Sequence, residues 1–198
     1  MEIIFAIAMI TGAFCYYQNN KISIINLKVD CKVNSKIRIV QISDLHSKEF
    51  GKNNNTLYKI GLAEKRVDKG EMFYSKVNSR YEVDNADSLF RKLEKLIGVK
   101  IILSHYPENY EYIGENSYSK YNFDIMFSGH AHGGQFILPG IGGIFASGQG
   151  LFPKYYKGIY SEKSKLVVSR GLGNSGFPLR LFNRPDLVVV DIINKKIK

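Results

Sequence analysis

The sequence predicts an α/β protein built around a β-sheet, and three observations support this. Short apolar runs typical of strands occur at residues 37–42 (IRIVQI), 99–103 (VKIIL) and 123–127 (FDIMF). A helical pattern at 87–97 separates the first run from the other two. The chain has 44% hydrophobic and 23% charged residues, which is normal for a packed globular domain. Strands that alternate with helical segments favour the α/β class.

The first 20 residues predict a hydrophobic N-terminal anchor, with the folded body at 21–198. Residues 3–17 (IIFAIAMITGAFCYY) contain no charge, and a polar segment with Lys21 follows soon after. A full membrane span needs about 20 apolar residues, and this stretch is shorter. Only Met1 and Glu2 precede it, which does not favour a signal peptide. A buried N-terminal helix is the alternative, and the side of the membrane is left open.

Further strands are predicted on both sides of the three apolar runs. Residues 22–33 alternate between apolar and polar types, the pattern of a half-exposed strand. Residues 166–168 and 187–192 are predicted as closing strands. The glycine-rich stretch at 133–150 favours loops or short strands over a helix.

One amphipathic helix is predicted at residues 87–97. Asn85 or Asp87 is suited to cap its N-terminus, and Gly98 is suited to end it. Its apolar residues fall on one face: Leu89, Phe90, Leu93, Leu96 and Ile97.

Charge and cysteine content exclude few classes of function. The net charge is +10, from 28 basic and 18 acidic residues, but the basic residues are spread along the chain. Such a charge is compatible with nucleic acid, anionic lipid or phosphorylated ligands and does not distinguish among them. No motif for nucleic-acid recognition is present, so no specific nucleic-acid partner is predicted. The two cysteines form neither a CxxC pair nor a disulfide framework.

All four histidines of the chain lie just beyond apolar runs. The sequences are IRIVQISDLH, VKIILSH and FDIMFSGHAH, which contain Asp44, His46, His105, His130 and His132. Ligands bind in open α/β sheets at the carboxyl ends of strands. We therefore expect the four imidazoles and the Asp44 carboxylate to meet at one edge of the sheet.

The spacing of these residues predicts a metal site. In Asp44-x-His46 and His130-x-His132, residues two apart point the same way in an extended segment. Mixed oxygen and imidazole ligands suit Mn, Zn or Fe better than Ca or Mg. A single histidine or aspartate in such a place is usually structural, but five at strand ends favour a metal centre.

These motifs resemble those of the calcineurin-like metallophosphoesterases, in particular the bacterial membrane-anchored branch. The matching segments are QISDLHSKEFGKNN, IILSHYPE, FSGHAHGGQ and the tail from GLFPKYYKGIY to VVVDI. The resemblance implies a calcineurin-like αββα sandwich that holds two divalent metal ions. It assigns Asp44, His46 and His132 to the first ion, and His105 and His130 to the second.

The resemblance also implies the chemistry and the substrate contacts. The metal ions activate water for attack on a phosphomonoester or phosphodiester. Gly133, Gly134 and Gln135 are expected to line the site, and Arg170 is a candidate phosphate contact. Arg180 and Arg184 are further candidates, and for each of the three an exposed structural arginine is the favoured interpretation. The expected partners are a phosphorylated small molecule or lipid and, through residues 1–20, a membrane.

The sequence departs from the family between His46 and His105. The family has a Gly-Asp motif that supplies a bridging carboxylate and a Gly-Asn-His motif that supplies a general acid, and the chain contains neither. An internal segment is therefore predicted to be missing near residues 55–57, which would leave the sandwich incomplete and its sheet edges prone to self-association. Asp68, Asp84 and Asp87 are candidate substitutes for the bridging aspartate, although Asp68 lies in a charged loop and a helix cap explains Asp87 better.

Two hypotheses follow for the function. The first is a metal-dependent phosphoesterase in which the missing motifs impair turnover, with the general acid unknown. The second is a catalytically inactive metal-binding or interaction remnant tethered to the membrane. Two cations close together repel each other without a bridging carboxylate, so one ion is favoured over two. The number of bound ions distinguishes the two hypotheses.

Overall fold

The computed structural model of the protein describes residues 1–46, 48, 83–111, 117–160, 163–174 and 176–194. The predicted deletion near 55–57 and the candidate Asp68 lie outside the described residues, and so does the side chain of Asp84. Within the described residues, the strands in chain order are β1 (Ser23–Cys31), β2 (Ile37–Gln41), β3 (Ile101–Leu103), β4 (Ile125–Ser128), β5 (Ile137–Leu138), β6 (Gly142–Gly143), β7 (Phe145–Ala146), β8 (Gly150–Leu151), β9 (Gly158–Tyr160), β10 (Lys165–Val168) and β11 (Asp186–Asn194).

The strands form two larger sheets and two small pairs. The first sheet has the order β1-β11-β2, in which β1 is parallel and β2 antiparallel to β11. The second has the order β3-β4-β10-β9, in which only β9 is antiparallel to its neighbour. Strands β5 and β6 form one antiparallel pair, and β7 and β8 form the other. The predicted α/β class is confirmed at this level.

Alternating side chains of the second sheet face two hydrophobic clusters. On β4, Ile125 and Phe127 join a cluster with Val29 of β1 and Val190 of β11, so this cluster lies between the two sheets. Met126 of β4 joins a second cluster on the opposite face. This follows from the period of two in a strand, since successive side chains point to opposite faces. Strands buried on both faces are almost entirely apolar, as β4 and β10 are.

The helix α2 covers the outer face of the second sheet and is longer than predicted at its start. It spans Val83–Glu94, and its Phe90 is buried in the cluster that contains Met126. Asn85 and Asp87 therefore lie inside the helix, and their predicted role as caps is wrong. Asp87 instead forms an ion pair with Arg91 one turn later, at 2.9 Å.

The N-terminal segment forms the helix α1 (Glu2–Asn20), whose second half packs on the body of the protein. Phe14 meets Phe182 edge to face at 5.4 Å, and the Asn19 side chain donates a hydrogen bond to the Pro178 carbonyl at 2.9 Å. In the part of the chain that the structure describes, no helix has both the length and the apolar character needed to cross a membrane. The anchor expected at residues 1–20 stays a prediction.

The predicted strands agree with the observed ones within a few residues. β1 and β2 fall inside the predicted ranges 22–33 and 37–42, and β11 covers the predicted strand at 187–192. The predicted strands at 99–103, 123–127 and 166–168 correspond to β3, β4 and β10. The glycine-rich stretch contains a 3₁₀ turn at His132–Gly134 and the strands β5 to β8, as expected for loops and short strands.

Candidate metal centre

The five predicted ligands follow three strands and converge at one edge of the second sheet. His105 lies two residues after β3, and His130 and His132 lie just after β4, which is parallel to β3. Asp44 and His46 follow β2 of the other sheet. The backbone N–H of His130 lies 3.1 and 3.2 Å from the two oxygens of the Asp44 carboxylate, so the two sheets contribute to one site.

Asp44, His46 and His132 form a group that fits a metal ion. Each offers one ligand atom, and these atoms all lie within 4.8 Å of one another. The two Nε2 atoms of His46 and His132 are 3.1 Å apart, and Asp44 Oδ1 is 3.8 Å from His132 Nε2. One carboxylate oxygen and two imidazole nitrogens suit Mn, Zn or Fe. Within the described residues, no other set of three such side chains is as close.

His105 and His130 form a separate pair, which also lies beside Asp44. His130 Nδ1 is 3.1 Å from His105 Nε2, and His105 Nδ1 is 3.7 Å from Asp44 Oδ1. The Tyr106 ring packs edge-on against His130, with centroids 4.4 Å apart. The two groups correspond to the division into two ions that the family resemblance implies. The role of each residue as a ligand stays a prediction.

Four of the five predicted ligands adopt a left-handed backbone conformation. The φ angles are 50° at Asp44, 46° at His46, 62° at His130 and 46° at His132. Positive φ is uncommon for residues other than glycine, although Asp and His adopt it more readily than most. Such strain is concentrated at functional sites, where the surrounding structure offsets its cost of about 1–3 kcal/mol per residue. The backbone therefore supports a functional role for these positions.

Asp44 is enclosed, with its side chain only 1% exposed. Gly129 and Gly171 pack against its carboxylate, and a Cβ atom at Gly129 would lie 2.0 Å from Asp44 Oδ2. The backbone of Asp44 is held as well, because its carbonyl accepts a hydrogen bond from the Gly173 N–H at 2.6 Å. A carboxylate fixed in this way has little freedom to turn away from an ion.

His132 is buried, and its ring is oriented by a backbone carbonyl. Burial lowers the pKa of His132 to about 4; the Asp44 carboxylate opposes this shift, and the Arg180 guanidinium adds to it. The imidazole is therefore neutral at physiological pH, which is the state that binds metals. Its Nδ1 lies 3.2 Å from the Gly173 carbonyl, an arrangement that leaves Nε2 to face His46.

The chain is similar to several curated proteins. An uncharacterized metallophosphoesterase of Bacillus subtilis, YkuE, is 33% identical over 107 residues, which cover 54% of this chain and 34% of that protein. An uncharacterized metallophosphoesterase of Campylobacter jejuni, Cj0846, is 36% identical over 98 residues, or 48% of this chain and 23% of the relative. The UDP-2,3-diacylglucosamine pyrophosphatase LpxG of Chlamydia muridarum is 37% identical over 98 residues, or 46% and 28%.

The chain is related to the metallophosphoesterases. The predicted family resemblance is thereby confirmed. The aligned segments span 34% or less of the three relatives' own lengths. No protein-family model and no solved structure matches the chain.

The residues that the metallophosphoesterase resemblance assigns to the substrate side of the site are mostly buried. Gln135 donates hydrogen bonds to the carbonyls of Phe177 and Leu179, at 2.9 and 2.6 Å. Gly134 packs against Gly143, and a Cβ at Gly134 would lie 2.6 Å from the Gly143 Cα. These contacts position the turn after His132, and a role in binding substrate stays a prediction for Gly133, Gly134 and Gln135.

Arg170 and Arg180 are buried, so the expectation that they are exposed is wrong, whereas the structural role expected for them agrees with their contacts. Arg170 is 9% exposed and its Nε atom forms an ion pair with Asp186 at 2.9 Å. Arg180 is fully buried. Arg184 is partly exposed, with its guanidinium over the Tyr17 ring at 5.1 Å. The Arg170 side chain is held by Asp186. Its role as a phosphate contact stays a prediction.

Asn183 directly supports the turn that contains His132, and the sequence does not indicate this role. Its side-chain amide donates to the carbonyls of His132 and Gln135, at 2.7 and 3.0 Å, and the residue is fully buried. Gly133 is required beside it, because a Cβ there would lie 2.1 Å from Asn183 Oδ1. Asn183 is 51 residues from His132 along the chain. No local pattern could connect the two.

Proposed function

We propose that the chain is a metal-dependent phosphoesterase that hydrolyses a phosphomonoester or phosphodiester bond with metal-activated water. The observation that carries the proposal is the convergence of Asp44, His46 and His132 within 4.8 Å. The names of the relatives agree with it, since the Escherichia coli relative YaeI, 29% identical over 96 residues, is named a phosphodiesterase.

The three side chains have distinct parts in this chemistry. Asp44 supplies the negative charge that offsets a divalent cation, and its buried position strengthens that attraction. His132 is neutral, and its Nε2 lies 3.1 Å from His46 Nε2, so one ion between the two atoms could be bound by both rings. A bound Mn, Zn or Fe ion would polarise the phosphoester and activate water for attack on phosphorus.

We also propose that the fold is an incomplete calcineurin-like αββα sandwich over residues 21–198. Two features support this: the two sheets share one buried cluster, and α2 packs on the outer face of the second sheet. In this proposal, residues 1–20 form a separate N-terminal segment, whose second half packs on the sandwich.

The chain's relation to a lipid pyrophosphatase suggests the kind of substrate. We propose a phosphorylated small molecule or lipid, and the loop that contains Arg180 has apolar side chains that an acyl chain could contact. Phe177 and Phe182 are each 49% exposed, and Leu179 is 38% exposed.

The first half of α1 also exposes large apolar residues, among them Ile3 at 76% and Phe5 at 69%. We propose that this half contacts a membrane or a second copy of the chain.

The second candidate is a metal-binding remnant without turnover. It is favoured by the sequence, because the Gly-Asp motif that supplies the bridging carboxylate in the family is absent, and an ion at the His105–His130 pair would depend on that carboxylate. If Asp44 serves the ion at His46 and His132, a second ion at this pair has less negative charge to offset it. This candidate predicts one bound ion or none.

The test is metal content together with turnover of bis-p-nitrophenyl phosphate and p-nitrophenyl phosphate in the presence of Mn²⁺. The variants are Asp44→Asn and His132→Ala for the three-residue group and His105→Ala for the pair. Asp30→Asn is the matched control, since Asp30 is an exposed residue of β1. We expect Mn²⁺ binding and turnover by the wild type and the control, and loss of both in Asp44→Asn and His132→Ala.

Three results would decide between the candidates. Turnover with two ions, abolished by His105→Ala as well, supports a two-metal hydrolase. A wild type that binds one ion and hydrolyses neither ester supports the remnant. A wild type that binds no Mn²⁺, Zn²⁺ or Fe²⁺ contradicts the phosphoesterase and leaves a remnant without metal.

A further inference from the structure

The turn at residues 170–174 is a common support for the segments that contain Asp44 and His132. The Leu172 N–H donates to the Ser43 carbonyl at 3.1 Å, and the Gly173 N–H donates to the Asp44 carbonyl at 2.6 Å. The Gly173 carbonyl faces the other way and lies 3.2 Å from His132 Nδ1. A displacement of this turn would therefore move both parts of the metal centre together.

The Arg180 guanidinium binds this turn at both ends. Its Nη1 donates to the Arg170 carbonyl at 3.0 Å, and its Nε donates to Asn174 Oδ1 at 2.9 Å. Its Nη2 donates to the Gly173 carbonyl, which is the acceptor beside His132. The planar guanidinium presents its N–H groups in a fixed fork, so the three acceptors are held in one arrangement.

Two contacts of His132 Nδ1 bear on which ring nitrogen carries the proton. Arg180 Nη2 lies 3.3 Å from Nδ1 and can only donate, but it already donates to the Gly173 carbonyl through a shorter contact. The Gly173 carbonyl can only accept, so Nδ1, which lies 3.2 Å from it, donates to it. The proton of His132 is then on Nδ1, and the lone pair of Nε2 is directed at the position between His46 and Asp44.

The cost of burying Arg180 indicates that its hydrogen bonds have a specific purpose. Its side chain is fully buried, and its partners among the described residues are carbonyls, an amide and an imidazole rather than a carboxylate. Arg170, ten residues earlier, shows the usual solution of a buried ion pair with Asp186. Burial lowers the pKa of Arg180 to about 10 although the Asp186 and Asp44 carboxylates oppose the shift, so this buried charge is costly.

We propose that Arg180 is a positioning residue of the metal centre, which holds the 170–174 turn and, through the Gly173 carbonyl, fixes the tautomer and direction of His132. It acts through the turn and does not touch the ion or the substrate. The inference rests on the metal site proposed above, but it is tested separately from turnover. Removal of a group that hydrogen-bonds to a metal-binding histidine and orients its ring typically weakens metal affinity about 10–100-fold.

The first measurement needs no variant. In the metal-free wild type, the ¹⁵N chemical shifts of the His132 ring report which nitrogen carries the proton. We expect the Nδ1–H tautomer. An Nε2–H tautomer as the main form would overturn the inference even if the protein binds metal and is active.

The second measurement compares variants by Co²⁺ affinity from calorimetry and by the visible spectrum of the bound Co²⁺. Arg180→Met keeps the length of the side chain and removes the fork, and Arg180→Lys keeps the charge without it. The matched control is Arg184→Met, since Arg184 belongs to the same loop and contacts α1. We expect Arg180→Met and Arg180→Lys to bind Co²⁺ about 10–100-fold more weakly, with an altered spectrum and a mixture of His132 tautomers.

The outcomes separate the inference from the function on which it rests. If Arg180→Lys restores wild-type affinity and spectrum, charge alone is sufficient and the positioning role is wrong. Wild-type Co²⁺ affinity in Arg180→Met would have the same meaning. If the wild type itself binds no Co²⁺, the proposed metal site fails, and the tautomer of His132 alone decides whether Arg180 orients the ring.

Discussion

At the scale of single residues, the metal centre depends on glycines as much as on its ligands. The Asp44 carboxylate lies against the Cα atoms of Gly129 and Gly171, and neither position has room for a Cβ. Gly171 also has a φ of +68°, which glycine adopts without strain. The close contact fixes the carboxylate where the His130 N–H can bind it. A single methyl group is therefore a sharp probe of the site.

Gly129→Ala should weaken metal binding while the fold is retained. The new Cβ would lie 2.0 Å from Asp44 Oδ2, whereas non-bonded heavy atoms prefer about 3.5 Å. The carboxylate must therefore rotate or shift away from His46 and His132. We expect Mn²⁺ affinity by calorimetry to fall by roughly 10-fold or more, as for other changes that misplace a ligand.

The control for this substitution is Gly12→Ala in α1. No atom lies within 4 Å of a Cβ placed there, and alanine favours a helix. Its circular dichroism spectrum and Mn²⁺ affinity should match the wild type or show slightly more helix. Unchanged Mn²⁺ affinity in Gly129→Ala would mean that Asp44 is not held against Gly129 in solution.

At the scale of elements, the sequence predicted the strand ends of the site but not what supports them. The five candidate ligands could be identified because each is an Asp or His that lies a few residues beyond an apolar run. The residue type and its position after the run can both be read from a short stretch of sequence. Arg180 and His132 are 48 residues apart, so the contact between them has no local signature. The start of α2 differs from the prediction for a related reason. Aspartate is a common cap residue, but the Asp87 carboxylate instead accepts hydrogen bonds from Arg91 and from the Tyr121 hydroxyl, which lies beyond β3 in the sequence.

The pairing of β2 with β11 predicts a contribution to stability that is lost in acid. Arg38 lies opposite Asp191 in the register, and its Nε donates to Asp191 Oδ1 at 2.7 Å. Hydrogen bonding from Arg38 and Lys36 holds the pKa of Asp191 well below its usual range. A carboxyl whose pKa is lower when folded stabilises the protein above its unfolded pKa of about 3.9, and this stabilisation decreases as pH falls further.

Asp191→Asn should therefore lower the free energy of unfolding by about 1 kcal/mol or less between pH 5 and 7. The effect is small because the side chains of Lys36 and Arg38 are 53% and 31% exposed, and exposed ion pairs contribute little. Urea unfolding of wild type and variant from pH 2 to 7 measures the difference, which should shrink below about pH 4. Asp30→Asn is the control on the same sheet. A difference that is constant down to pH 2 would contradict the assignment.

At the scale of the whole molecule, the metal centre joins parts of the fold that are distant in sequence. Asp44 and His46 follow β2 of the first sheet, and His132 follows β4 of the second. The two sheets otherwise meet through the buried cluster of Val29, Ile125, Phe127 and Val190. An ion held by both segments would add a cross-link at the sheet edge. Binding to the folded state alone shifts the unfolding equilibrium by mass action.

Metal should therefore raise the thermal stability of the whole chain, and it should do so only through the three-residue group. At a free Mn²⁺ concentration of about 100 times Kd, the stabilisation is about 2.7 kcal/mol. For a chain of this size, each kcal/mol raises Tm by about 2–4 °C, so the expected increase is roughly 5–10 °C. Differential scanning calorimetry over a series of Mn²⁺ concentrations measures the increase in Tm. Mg²⁺ is the comparison, because imidazole ligands bind Mg²⁺ poorly.

His132→Ala should abolish most of the increase and His105→Ala little of it, if one ion binds at Asp44, His46 and His132. Equal losses in both variants would instead indicate that the two imidazole pairs hold the metal jointly, and Asp44 would then serve both.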